Sequence, residues 1–301
     1  MEGNEQLFDT NPETENKKSD SDYMTSKKII RVLIVLIILL LIGLVLLLIF
    51  YFKKSSNSDS KKSSDDSDKT PDESPFEIVE GESDIQLIPK SGKYDYVLIF
   101  IHGMTGNSTE NLDKFNKKDG PVPDNFKIIL PCAPIAFVTR LNFSTYSWFD
   151  ILGINGAFIY EDDIVFSDME KSAERIGKII ENEVKNVQNN YTRIFVGGFS
   201  QGGLMSYHIG LSFEHTLGGI IPFCSFPITK TQINDKNIEN LNILGIFGGQ
   251  DIYVNPDYAV NKTLNVLSKF KKLKIEFFND EPHQVKEAEL EYVKIFIKSL
   301  L

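Results

Sequence analysis

Ser200 stands between glycines two residues either side, in Gly198-Phe199-Ser200-Gln201-Gly202, between a short apolar run and an amphipathic one. That spacing suits a serine held in a sharp strand-to-helix turn, because the glycines let the two elements pass without Cβ clashes. A serine hydroxyl is nucleophilic at neutral pH only beside a base, and the base needs an orienting carboxylate. In chains built this way the order is Ser, acid, His. The chain has four histidines. His102 precedes the serine, His208 lies on the helix after it and His215 follows that helix. His283, in Glu281-Pro282-His283-Gln284, is the one in a loop after the last apolar run, which makes it the expected base. The acid should follow the penultimate run, where Gly248-Gly249-Gln250-Asp251 presents Asp251, with Asp257 as a weaker rival. Acyl transfer also needs two N–H donors for an oxyanion, one from the residue after the nucleophile. Gln201 supplies it. Met104, after Gly103 in the loop following the first core run, is the second expected donor.

The elements that must position these groups alternate. Tyr96–Ile101, Phe126–Leu130, Arg193–Gly197, Gly219–Cys224, Ile243–Phe247 and Lys274–Phe278 read as strands. Residues Phe166–Gln188, Gly202–Leu211, Pro256–Phe270 and Val285–Leu300 read as helices. Near-continuous apolar strands with helices between them predict a mostly parallel sheet covered on both faces. In such sheets ligands bind beyond the carboxyl ends of the strands. The expected folded domain is 76–301.

Before it, Val32–Phe52 is uninterrupted by any charge and holds only Gly43 among apolar side chains. That length matches the ~30 Å hydrocarbon core of a bilayer. It is too long for a signal peptide's apolar region, and no small-residue cleavage site follows. The reading is a polar, disordered tail over 1–28, one transmembrane helix over 29–52 and a flexible Ser/Lys/Asp-rich tether over 53–75. The net charge of −10 disfavours nucleic acid as a partner. Cys132 and Cys224 end strands that should not be neighbours, so no disulfide is expected. No cofactor or metal motif is present.

His102-Gly103-Met104, Pro131-Cys132-Ala133-Pro134, Ser147-Trp148-Phe149-Asp150-Ile151, Gly198-Phe199-Ser200-Gln201-Gly202-Gly203, Asp251 with Val254, and His283 together resemble the acyl-protein thioesterase and carboxylesterase/lysophospholipase family of α/β hydrolases. The resemblance runs from about Tyr96 to Leu301. It implies an α/β-hydrolase fold, a triad of Ser200, Asp251 and His283, and an oxyanion hole from Met104 and Gln201. Two segments depart from the family: Met104-Thr105-Gly106-Asn107, where an aspartate usually follows a glycine, and Phe223-Cys224-Ser225-Phe226. Both bear on the substrate pocket. Trp148, Phe149 and the apolar stretch to Tyr160 are read either as a loop packed on the core or as a lid or acyl groove.

The expected protein is thus a membrane-anchored serine hydrolase of acyl thioesters or esters, acting on acylated proteins. The alternatives are a carboxylesterase or lysophospholipase, and, in another class, an inactive scaffold or adhesion protein. Lys27, Lys28 and Arg31 against Lys53 and Lys54 lean toward a cytosolic N-terminus, hence a lumenal or extracellular domain. Asn107, Asn142, Asn190 and Asn261 begin N-x-S/T patterns, but roughly three such patterns are expected by chance in a chain this rich in asparagine. Both sides stay open.

Overall fold

The computed structural model describes residues 74–153 and 156–301. The tail, the proposed membrane span and the tether up to residue 73 lie outside the described residues. No helix among the described residues is long and apolar enough to cross a membrane. The last two tether residues are already tied to the domain. Ser74 Oγ donates to Asn116 Oδ1, and Pro75 O accepts from Lys90 N–H at 2.9 Å.

The strands are β1 (Phe76–Glu80), β2 (Ile85–Pro89), β3 (Tyr96–Ile101), β4 (Phe126–Leu130), β5 (Ile135–Val138), β6 (Phe143–Tyr146), β7 (Ile194–Phe199), β8 (Gly219–Phe223), β9 (Ile243–Gly248) and β10 (Leu273–Phe278). The helices are α1 (Leu112–Phe115), α2 (Phe166–Glu183), α3 (Gln201–Ser212), α4 (Asp235–Asn240), α5 (Pro256–Val266) and α6 (Glu287–Lys298). Eight strands form one sheet in the order β1-β2-β4-β3-β7-β8-β9-β10. Pairings from β4 through β10 are parallel, while β1–β2 and β2–β4 are antiparallel. This is the expected mostly parallel sheet with an antiparallel edge.

The pleat divides the core in two. On β3, Val97, Ile99 and Ile101 point into one apolar cluster with Met169, Ile176 and Ile180 of α2 and Leu204 and Met205 of α3. Leu98 and Phe100 point the other way, to Phe115 of α1 and Leu290, Val293, Phe296 and Ile297 of α6. Successive side chains alternate faces, and both faces are covered, so the strand reads as unbroken apolar sequence. Cys132 follows β4 and Cys224 follows β8, with β3 and β7 between them, and both thiols are free.

The antiparallel β5–β6 hairpin stands apart as a two-stranded sheet, its side chains Ile135, Phe137 and Phe143 exposed. It was not foreseen. Four-residue strands carry too short an alternation to announce themselves.

Full burial of a β3 side chain sets its cost. Ile99→Ala should lower the unfolding free energy by about 2–5 kcal/mol in urea titration. Ile295→Ala, on the exposed face of α6, should stay within about 0.5 kcal/mol. Equal effects would contradict the two-cluster core.

Candidate active site

β7 runs through the middle of the sheet and ends at Phe199; α3 begins at Gln201. Ser200 joins them with φ 56° and ψ −115°. A non-glycine residue seldom adopts a positive φ, and here the surroundings impose it. A Cβ on Gly202 would sit 2.0 Å from Ile101 O, and one on Gly198 would sit 2.4 Å from Gly202 O. Both contacts are with backbone, so neither position admits a side chain. The spacing of glycines around Ser200 is therefore a steric requirement of packing α3 against the end of β3.

Asp251 and His283 meet at the ends of β9 and β10. His283 Nδ1–H donates to Asp251 Oδ2 at 2.6 Å, which leaves Nε2 as the nitrogen open to a reacting group. The other carboxylate oxygen accepts from the Tyr253 and Val254 amides, each at 2.8 Å. Asp251 is thus held from both sides. The glycine pair before it has a second steric origin. A Cβ on Gly248 would meet Glu281 O at 2.5 Å, and one on Gly249 would meet Asn279 O at 2.5 Å. Only bare backbone lets the β9 loop cross the β10 loop, and that crossing brings the acid to the base. The imidazole sits between the rings of Phe199, at 4.6 Å, and Tyr253, at 5.2 Å. Asp257, the rival acid, is an exposed residue in the first turn of α5 and has no part in this contact.

Ser200 and His283 line one cavity of about 290 Å³ with Met104, Thr105, Glu110, Leu141, Ile159, Phe199 and Tyr253. Apart from the serine, the threonine, the imidazole and one carboxylate, this wall is apolar. The Met104 and Gln201 amides donate no hydrogen bond among the described residues. Their neighbours are engaged: Thr105 N–H with Tyr146 O at 2.9 Å, Ser200 N–H with Phe223 O at 3.0 Å. Two unspent backbone donors beside the serine suit a developing oxyanion.

Trp148 and Phe149 do not line this cavity. Of the two readings of these residues, the loop packed on the core is the one observed and the acyl groove at Trp148 and Phe149 is corrected: each is 2% exposed and both belong to the core. Their work is internal. Gln201 Oε1 accepts from Trp148 N–H at 3.0 Å, and Gln201 Nε2 donates to Ser147 Oγ at 2.9 Å and Phe149 O at 2.8 Å. Trp148 Nε1 donates to His102 O at 2.9 Å. The Ser-Trp-Phe segment therefore clamps Gln201, next to Ser200, and steadies the loop that carries Met104. Ile159, from the apolar stretch read as a lid or acyl groove, does line the cavity, whereas the walls missed in the sequence, Leu141 and Tyr253, come from irregular loops with no periodic signal.

His102 is structural. Its Nδ1–H donates to Gly103 O and its Nε2 accepts from Ala133 N–H, so the ring is neutral. Burial lowers its pKa to about 4. His208, bonded to Thr231 Oγ1, is lowered by burial to about 4 as well. His215 stacks on Tyr191. Cys224 Sγ lies within 4.8 Å of donor atoms of both Asp251 and His283. Burial, with the nearby Asp251 and Glu289 carboxylates, pushes that thiol's pKa upward and keeps it protonated.

The phospholipase/carboxylesterase family profile matches residues 83–301. Acyl-protein thioesterase 1 of Candida albicans is 28% identical over 231 residues, covering 73% of this chain and 98% of that protein. Acyl-protein thioesterase 1 homolog 2 of Dictyostelium discoideum is also 28% identical, over 73% of this chain and 99% of that one. Among solved structures, acyl-protein thioesterase 2 of Zea mays superposes with a TM-score of 0.61 at 19% identity, over 72% of this chain and 98% of that one. The last likeness concerns the fold alone.

The buried neutral histidines set a pH limit on folding. An unfolded histidine titrates near 6.5, and His102 and His208 only near 4, so the unfolded state takes up protons first as pH falls. Stability is then lost progressively between those two values, up to about 3 kcal/mol per ring. Urea midpoints measured from about pH 7 down to about pH 4.5 should fall, and His208→Gln should remove part of that slope. A wild-type slope unchanged by that substitution would contradict a neutral buried ring.

Proposed function

Because the chain belongs to the phospholipase/carboxylesterase family of α/β hydrolases, and is a serine hydrolase of carboxylic esters and thioesters, we propose that its substrates are S-acylated proteins. The observation that carries the mechanism is the 2.6 Å contact of His283 with Asp251, with His283 and Ser200 on the wall of one apolar cavity. Ser200 Oγ attacks the acyl carbonyl while His283 Nε2 takes its proton. The C=O π electrons move onto oxygen, where the Met104 and Gln201 amides receive the charge. Collapse of that intermediate breaks the C–S bond, and His283 returns the proton to the departing thiolate. Water, deprotonated by the same imidazole, then attacks the acyl-serine and releases the fatty acid. Asp251 keeps Nδ1 protonated and steadies the imidazolium. Apolar walls with few polar groups suit a fatty chain.

The run Val32–Phe52 supports a single membrane anchor, which would hold the domain near acylated proteins and shorten its search. The relatives named thioesterases favour thioesters over lysolipids as the first substrate to try.

A fluorophosphonate probe should label the protein, and Ser200→Ala should abolish the labelling. Activity on a palmitoyl-cysteine thioester should fall at least about a thousandfold in Ser200→Ala and His283→Ala. Labelling that survives Ser200→Ala would sink the assignment of the nucleophile. Faster turnover of lysophosphatidylcholine than of the thioester would replace the substrate class and leave the mechanism standing. A band unshifted by endoglycosidase would place the domain on the cytosolic side.

A further inference from the structure

One charged side chain interrupts the apolar wall of the catalytic cavity. Glu110 lies six residues beyond Met104, at the end of the loop that begins with the oxyanion donor, and shares the cavity with Ser200 and His283. Its carboxyl occupies the space over Gly106, where a Cβ would sit 1.9 Å from Glu110 Oε2. No ion pair holds it among the described residues. Lys114, one helical turn on, sends Nζ to the Glu110 main-chain carbonyl at 3.4 Å rather than to the carboxylate. Partial desolvation pushes the carboxyl's pKa upward, against the opposing pull of Lys114 and His283. A carboxylate is a poor neighbour for a hydrocarbon chain, since burying it unpaired is costly. The side of the cavity that Glu110 faces therefore suits the leaving half of the substrate better than the acyl tail.

We propose that Glu110 is a specificity-determining residue that receives a cationic group on the leaving side of the scissile bond, which in a protein substrate is a Lys or Arg next to the S-acylated cysteine. The lone carboxylate beside Ser200 and His283, in a cavity otherwise apolar, is the juxtaposition that carries it. A cation there completes an ion pair that the chain itself leaves open. Glu110 is itself exposed, so the pair forms at the open side of the cavity and is screened by salt. The protein form of the substrate rests on the thioesterase reading; the preference for a cation does not.

The test compares matched substrates on the full chain. One pair is an S-octanoyl-cysteine peptide flanked by lysines and the same peptide flanked by glutamines. The other is butyrylthiocholine and its uncharged isostere, S-(3,3-dimethylbutyl) thiobutyrate. In each pair the cationic member should have the higher kcat/KM, by about five- to tenfold, and the advantage should shrink in 1 M salt. Glu110→Gln should erase that ratio and Glu110→Lys should invert it. A ratio that survives Glu110→Gln, or a wild-type ratio near one, overturns the proposal. So does a fall shared equally by both members, since it would mean that Glu110 acts through His283 or through the loop. If neither peptide is cleaved but the thiocholine pair shows the Glu110-dependent ratio, the protein-thioesterase reading fails and the charge preference stands. Cleavage of both peptides at equal rates has the reverse meaning.

Discussion

The structure depends on one place where two backbones touch. The first turn of α3 lies against the carboxyl end of β3 so closely that Gly202 has no room for a methyl group beside Ile101 O. That approach forces the chain leaving β7 to reverse within a single residue, and the reversal puts Ser200 at φ 56° with its side chain at the head of the sheet. The contact also sets the start of α3 directly against the loop after β3, with Gly202 close to both Ile101 O and His102 O. A larger residue at 202 would lift the start of α3 away from the end of β3.

The same device recurs two strands further along the sheet. Gly248 and Gly249 let the β9 loop pass under the β10 loop, where Gln250 N–H bonds to Glu281 O at 2.9 Å. Asp251 and His283 meet because of that crossing. At these two crossings Asp251 takes two amides and an imidazole, Gln201 engages the Ser147–Phe149 segment, and His102 uses both ring nitrogens. A paired buried polar group holds geometry, while an unpaired one is a cost in stability. Glu110 is the contrast, a carboxylate on the cavity wall that the chain does not pair.

Much of this was legible in the residues. Tyr96–Ile101 and Phe126–Leu130 are strands with the boundaries their apolar runs suggest, because strands covered on both faces are nearly all apolar; Lys127, the exception, is buried through its ion pair with Glu183. The long helix was legible too, although its regular part stops at Glu183 and Val184–Val187 continues as a 3-10 turn. Less visible were β1, four of whose five residues are exposed, and the short helices α1 and α4. Trp148 and Phe149 could not be placed from sequence for a physical reason. An apolar segment beside a catalytic motif has the same composition whether it packs inward or lines a cavity; only its neighbours decide, and here they are Gln201, His102 and the core.

The chain by itself determined the alternation of strands and helices, the serine between its glycines, and the order Ser200, Asp251, His283. These are properties of residue type and spacing, and local sterics and hydrophobic periodicity follow from them directly. Tertiary structure alone decided that Gln201 is clamped by a segment more than fifty residues earlier, and that Leu141, Ile159, Tyr253 and Glu110 share a wall with Ser200. Those contacts join loops whose separation in sequence carries no information about their distance in space. That distance is set by the strand order of the sheet, which non-local pairing and the burial of two opposite faces select together.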